Sequence, residues 1–447
     1  MSESPNTQVK GRAVALLPIL VFLIIFLGMG ILTKDFYKTP AIVAFLIALF
    51  VAFLQNRKLP FTEKFKLITK GVGDENIITM CLIFLCAGAF SGAVTASGGV
   101  ESTVNLGLSV LPPHFCVPGL FIIGCFISLS MGTSVGTVAA LTPIAVEISN
   151  KTGFSLAVCV GAVVCGAMFG DNLSMISDTT IAAVKTQGCQ MRDKFKENFL
   201  IVLPAALITA VIFYLLAHNA DFDVTGSLDY NIWKVIPYLL VLIGALCGLN
   251  VFIVLIGGVV MSLIVGVATG TIPLSDIFVA IGGGTVGDVT VGGIIGMYDI
   301  TVISIIVACI VSLVKEYGGI QFILNLIRKT IKGKRGAELG IALLSLLVDA
   351  CTANNTVAIV IAGPIAKEIS DEFEVDPKRS ASLLDIFSSV GQGVIPYGAQ
   401  LLTAAAAAGL SPLQIVPHMY YPLLMALSAF LFIVLRKRTT PKQQNLI

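Results

Sequence analysis

Seven oxygen- or amide-bearing side chains crowd into residues 171–180: Asp171, Asn172, Ser174, Ser177, Asp178, Thr179 and Thr180. Carboxylates and hydroxyls at this density are hard ligands, suited to a cation such as Na⁺. The flanks are apolar helix formers, Gly161 to Phe169 before and Ile181 to Val184 after. The cluster therefore interrupts a hydrophobic span. In a bilayer such a break frees backbone N–H and C=O groups that lipid cannot satisfy, so it must line a cavity enclosed by protein. The plainer alternative is a short polar loop joining two spans. A charge inside a span is functional by default, which favours the cavity.

The elements that must position this cluster follow from composition. The chain has 447 residues, of which 56% are hydrophobic and 12% charged. Soluble domains carry roughly 25% charge, so this is a polytopic membrane protein. A net charge of +2 gives no reason to expect nucleic acid as a partner. The first apolar segment, Ala13 to Thr33, has the length of a true span rather than of a cleaved signal core. Candidate spans are 13–33, 38–56, 76–97, 199–217, 232–250, 251–269, 294–314 and 419–435. Segments 114–149, 154–187, 336–369 and 381–410 exceed the ~20 residues of one crossing, and each holds a polar or glycine-rich break. Residues 100–112 and 320–333 read as interfacial amphipathic helices.

Lysine and arginine give the orientation. The N-terminus, the 56–75 loop, the 188–198 loop with Arg192, Lys194 and Lys196, the 315–335 region and the C-terminus are basic and should be cytoplasmic. The 219–231 loop has Asp221, Asp223 and Asp229 and should be external. Both requirements are met if 114–149 and 336–369 are re-entrant hairpins. The expected architecture is all-α: about ten transmembrane helices, two re-entrant hairpins and two broken helices, with both termini cytoplasmic.

The halves resemble each other at an offset of 221: Thr142–Ser149 matches Gly363–Ser370, and Gly170-Asp171 falls on Gly391-Gln392. Repetition in order along the chain indicates duplication, and an odd number of crossings in the first half makes the repeats inverted. The first repeat spans 1–218, with hairpin 114–149 and broken helix 154–187. The second spans 225–447, with hairpin 336–369 and broken helix 381–410. The hairpin tips offer Thr133, Ser134 and Thr137 in one half and Asn354, Asn355 and Thr356 in the other. Opposite the first break stand Gln392 and Tyr397, so the second half is the better place for a neutral or organic contact. Asp349, Asp385 and Asp299 lie in apolar runs and are proton candidates. Ten scattered cysteines form no CxxC and read as small buried hydrophobes. The run Gly282–Gly287 lacks the lysine of a phosphate loop, and no catalytic constellation appears, so neither an enzyme nor an organic cofactor is expected.

Residues 170–180, Gly-Asp-Asn-Leu-Ser-Met-Ile-Ser-Asp-Thr-Thr, resemble the G-D-x-x-S-P-x-S-D-T-T signature of NhaC-type Na⁺/H⁺ antiporters, of the wider ion transporter superfamily. Met175 stands where that pattern has proline. The resemblance implies a bacterial inner-membrane carrier with Na⁺ chemistry at Asp171, Ser174, Asp178 and Thr179. It also admits exchangers of organic anions and carriers of amino acids. The expectation is a Na⁺-coupled secondary transporter in which Asp171, Asn172, Ser174, Ser177, Asp178 and Thr179 bind the cation and Na⁺ and H⁺ compete at Asp171 and Asp178. The alternative on the same fold is Na⁺- or H⁺-coupled movement of a small organic solute. Expected partners are the lipid bilayer, Na⁺, H⁺ and, in the alternative, that solute, with a homodimer as the one assembly considered. A channel would not need paired inverted breaks.

Overall fold

In the computed structural model the described residues are 10–33, 41–110, 112–175, 177–220 and 227–435. Asp221 and Asp223 of the acidic loop, and the basic residues after 435, lie outside them. Helix dominates, because runs of Leu, Ile, Val, Ala and Phe satisfy their backbones within one segment. Six helices among the described residues are long and apolar enough to cross a membrane, or seven if the bent pair Pro377–Ala408 and Pro412–His418 counts as one. Ala13–Phe26, Ile42–Leu54, Ile232–Leu246 and Tyr420–Leu435 are apolar but shorter. On helix Met191–His218, Leu207, Ile208, Val211 and Leu215 are exposed, an apolar face suited to lipid.

Both segments read as hairpins form helix pairs. Cys116–Met131 turns into Ser134–Thr152, and Gly333–Thr352 into Asn355–Glu372. Each turn is made by one left-handed residue, Gly132 (φ 68°) and Ala353 (φ 51°), followed by an extended N-cap. The Thr133 side chain accepts from Gly136 N and the Asn354 side chain from Val357 N. Both segments read as broken spans are broken. Leu156–Leu173 ends at Ser174 and helix resumes as Asp178–Gln187; Pro377–Val394 ends at Ile395 and resumes as Ala399–Ala408. Left-handed Gly188 and Gly409 close the short helices. The caps Gly132 and Ala353, Thr133 and Asn354, Ser174 and Ile395, Ser177 and Gly398, and Gly188 and Gly409 are each 221 residues apart and share backbone conformation.

The two halves interlock. Asp178–Gln187 packs on Asn355–Glu372, where Gln187 Nε2 donates to the Gly363 carbonyl at 2.9 Å, and Ala399–Ala408 packs on Ser134–Thr152. Ala183 joins the apolar core of the second half; Ile386, Val390 and Leu401 join that of the first. Within each half the hairpin's first limb lies along the broken helix. Ser128 Oγ donates to the Ala167 carbonyl and Ser345 Oγ to that of Leu384, both at 2.6 Å.

Three expectations change. Residues 191–198 are not a loop: helix Met191–His218 starts there, because Asp193, Lys194, Glu197 and Asn198 find partners or solvent on helical spacing, and Lys194, Glu197 and Asn198 are buried. The hydrophilic stretch 55–75 contains helix Phe61–Val72, whose Lys64 Nζ donates to the carbonyls of Phe53 and Gln55 at 2.7 and 2.6 Å, closing helix Ala41–Leu54. The glycine run forms a two-stranded antiparallel hairpin, Gly284–Val286 with Val289–Val291, a local departure from the all-α expectation. Its Val/Thr alternation around Gly287-Asp288 favours strand and turn, and helix Glu75–Ala96 admits the segments flanking it closely at Gly92, where a Cβ would lie 2.3 Å from the Ala280 carbonyl oxygen and 2.9 Å from Gly293 Cα.

Close helix packing has its own test. A Cβ on Gly166 would lie 2.2 Å from the Phe121 carbonyl oxygen, whereas one on Gly119 would meet nothing within 4 Å. Gly166→Ala should lower stability by ~1–3 kcal/mol, the usual cost of overpacking, and Gly119→Ala should lower it much less. Unfolding in detergent checks this; equal behaviour of the two variants would contradict the packing described.

Candidate functional site

The first break and both hairpin tips meet at one cavity of ≈ 90 Å³. Thr133, Ser134, Asp171, Ser177, Asp178, Thr179, Asn354, Asn355 and Thr356 line it, so part of the sequence cluster and the two tips come together. Thr79, Met80 and Ile83 of helix Glu75–Ala96 form another wall, and Ala399 and Gln400 bring the second broken pair to it. The first residues of four helices, Ser134, Asn355, Asp178 and Ala399, all line the cavity. Their amide ends favour negative charge nearby.

Asp171 is the buried carboxylate of this lining. It sits on the last turn of Leu156–Leu173. Ser134 Oγ donates to its Oδ2 and Ser177 Oγ to its Oδ1, each at 2.7 Å. The Ser177 and Thr179 hydroxyls are 2.9 Å apart. One carboxylate thus holds the first hairpin tip and the restart of its own broken helix. Each oxygen can still accept more, so the arrangement can bind a small cation without losing its supports. Asp178 is exposed at the N-terminus of its short helix, at the edge of the cavity, a weaker position than the sequence suggested.

Other expected ligands point elsewhere. Asn172 Nδ2 donates to Tyr421 OH and Met425 Sδ, both at 3.1 Å, away from the cavity. Ser174 is buried at the end of its helix and is not among the lining residues. Thr137 Oγ1 donates to the Thr133 carbonyl at 2.9 Å and ties the tip together. Gln392 spans the second break: its Nε2 donates to Asp349 Oδ1 and Oδ2 at 3.0 and 3.2 Å, and its Oε1 accepts from Ala399 N at 2.9 Å. Tyr397 OH donates to the Ala350 carbonyl at 2.6 Å, and its ring packs against Phe22 and Phe45. Asp349 is fully buried beside Gln392. Asp299 is exposed in the first turn of Tyr298–Glu316, where a helix amide end accounts for an acid, and it lies away from the cavity.

Asp385 is ion-paired. Lys194 Nζ donates to its Oδ2 at 2.6 Å, both side chains being 1% exposed. The same ammonium donates to Thr180 Oγ1 at 2.7 Å and to the Asn172 carbonyl at 3.2 Å, a carbonyl freed by the first break. Asn198 Nδ2 donates to that carbonyl and to Asp385 Oδ2 at 2.9 and 2.8 Å, and Ser382 Oγ donates to Asn198 Oδ1. A second buried charge group joins the halves close by: Arg379 reaches Glu197 at 3.2 Å and Glu338 at 3.6 Å. Sequence reasoning missed Lys194, Arg379 and Gln400. Gln400 had a signal, since it stands 221 residues after Thr179.

A family model described as "Na+/H+ antiporter family" matches residues 4–218 and again 222–436. A "Malate-2H(+)/Na(+)-lactate antiporter" of Bacillus subtilis is 24% identical, over 92% of each chain. A "Na(+)/H(+) antiporter NhaC" of the same organism is 26% identical, over 83% of this chain and 87% of its own. An "Arginine/ornithine antiporter ArcD" of Halobacterium salinarum is 22% identical, over 81% and 79% respectively.

The Lys194–Asp385 pair has a defined mutational signature. Lys194→Met leaves a buried carboxylate without its cation and should cost ~3–5 kcal/mol, whereas Lys194→Met with Asp385→Leu removes both charges and should recover much of that. Thermal unfolding of the two proteins checks this; equal loss in both would contradict the pairing.

Proposed function

The chain belongs to the Na⁺/H⁺ antiporter family, and we propose on that footing that it exchanges Na⁺ for H⁺ across the bacterial inner membrane, with Asp171 as the shared site. It is a multi-pass membrane transporter. The observation that carries the proposal is Asp171 itself: a buried carboxylate on a cavity, hydrogen-bonded by Ser134 and Ser177, with no Lys or Arg in ion-pair contact among the described residues. Lys194 is committed to Asp385, so Asp171 needs one positive charge from outside the protein. Na⁺ and H⁺ each supply one and exclude each other. Ser177, Thr179 and Asp178 add oxygens on the Na⁺ side of that exchange. Asp349, faced by the Gln392 amide and away from the cavity, is the candidate for a second, proton-only carboxyl.

Exchange needs the site to face each side in turn. The proposed means is relative movement of two inverted repeats, 1–218 and 225–447, with about ten crossings and both termini cytoplasmic. The caps matched at an offset of 221, and the short helices exchanged between halves, support this reading. The ion gradient drives the cycle, with no organic cofactor and no covalent step.

One observation favours a second cargo. Four helix N-termini converge on the cavity, and Asn354, Asn355 and Thr356 add polar groups, a setting that suits an organic carboxylate. The relative named for malate and lactate handles such anions. At ≈ 90 Å³ the cavity is well below the ~300–1,000 Å³ of sites for drug-sized ligands. A solute would therefore enter a more open state, and a bare or partly hydrated ion fits this one.

In proteoliposomes, Asp171→Asn should abolish Na⁺-driven proton movement while the protein still inserts and stays monodisperse. A wild-type rate in that variant would remove Asp171 from the mechanism. For the topology, single cysteines at Arg192 and Ser227, both exposed, should react with an impermeant reagent from opposite sides. Labelling of both from one side would refute the proposed orientation.

A further inference from the structure

The second broken pair reaches the cavity through a side chain that the exchange scheme leaves without a role. Gln400 lies in the first turn of Ala399–Ala408, is 3% exposed and lines the cavity with Ser134, Asp171 and Thr179. Proton counting fixes its amide. Ser134 Oγ gives its single proton to Asp171 Oδ2, so toward Gln400 that oxygen can only accept. The group 3.0 Å from it is therefore Nε2, and Oε1 is turned the other way. Oε1 is buried and has no hydrogen-bond partner among the described residues. Of the hydroxyls of the first break, that of Ser177 goes to Asp171 and that of Thr179 to Ser177. A buried acceptor left unmet is costly, and a cation is the species that repays an oxygen with no donor to face.

We propose that Gln400 Oε1 is a ligand of the Na⁺ held at Asp171, and so the point where the second half of the chain grips the ion. The proposal rests on the reading of Asp171 as the cation site. The Gln400 contact joins helix Ala399–Ala408 to the first hairpin through the chain Gln400, Ser134, Asp171, so binding of the ion tightens a junction between the halves.

The test is calorimetric titration of Na⁺ and of Li⁺ into purified full-length wild type, Gln400→Met, Gln400→Asn, Gln400→Glu and Asp171→Asn at one alkaline pH, with unfolding curves to establish that each is folded. Gln400→Met lacks the oxygen and should weaken Na⁺ about tenfold, the scale of one lost polar contact, and Li⁺ less, because the smaller ion needs fewer ligands. Gln400→Asn, with the same amide on a shorter arm, should fall between. Gln400→Glu keeps an oxygen and loses the donor to Ser134, and it should retain Na⁺ binding. Wild-type Na⁺ affinity in Gln400→Met or, should that variant not fold, in Gln400→Asn overturns the proposal. Equal loss in the Met and Glu variants also overturns it, since the donor to Ser134 would then be what matters. Asp171→Asn separates the two levels: lost Na⁺ binding there with unchanged binding in Gln400→Met sinks only the role of Gln400, whereas unchanged binding in Asp171→Asn sinks the cation site as well.

Discussion

A backbone can leave the helix inside a bilayer only where something other than lipid takes up its N–H and C=O groups. This chain leaves it four times near one place, at the two hairpin tips and the two breaks. The tips and breaks shelter one another. Thr133 and Asn354 cap the helices that start at the tips, and Gln392 bridges the second break. Asp171, Ser134 and Ser177 close the first, while the freed carbonyl of Asn172 is met by Lys194 and Asn198. The need to satisfy these groups brings oxygen ligands together without any separate demand for a binding site.

Charge is sorted within that frame. The Lys194–Asp385 and Arg379–Glu197 pairs cross between the halves, and each neutralises a buried ion with a buried partner. Such pairs are costly to break from one side and add little to net stability when whole. Their value here is positional: they hold helix Met191–His218 against Pro377–Val394 and leave Asp171 as a buried carboxylate on the cavity without an ion-pair partner among the described residues. The first half supplies that carboxylate and the second supplies amides. That asymmetry was visible when Gly170-Asp171 fell on Gly391-Gln392.

What was legible in the sequence had a contrast to show it. Asp171, Ser177 and the tip residues are polar in apolar surroundings, and the Thr142–Ser149 repeat fixed the register that pairs them. Lys194 was misplaced because exposed Arg192 and Lys196 beside it give the same basic signal, and only packing against Asp385 distinguishes the buried lysine. Gln400 was missed because an amide in an alanine-rich helix carries no charge, and its meaning depends on Ser134 from the other half. Asn172 and Tyr397 were over-read: their types suit a site, but Tyr421 and the Ala350 carbonyl claim them. The strand hairpin at 284–291 lay in a glycine run whose only strand signal is its Val/Thr alternation.

The proposed exchange stands or falls on whether Na⁺ and H⁺ occupy Asp171 in turn. The most direct measurement is proton release when Na⁺ is added to the purified protein in weakly buffered solution, followed with a pH indicator across a pH series. The account predicts that Na⁺ binding displaces protons, that Na⁺ affinity falls as pH falls, and that both effects vanish in Asp171→Asn. Na⁺ binding with no proton release and an affinity independent of pH would contradict it.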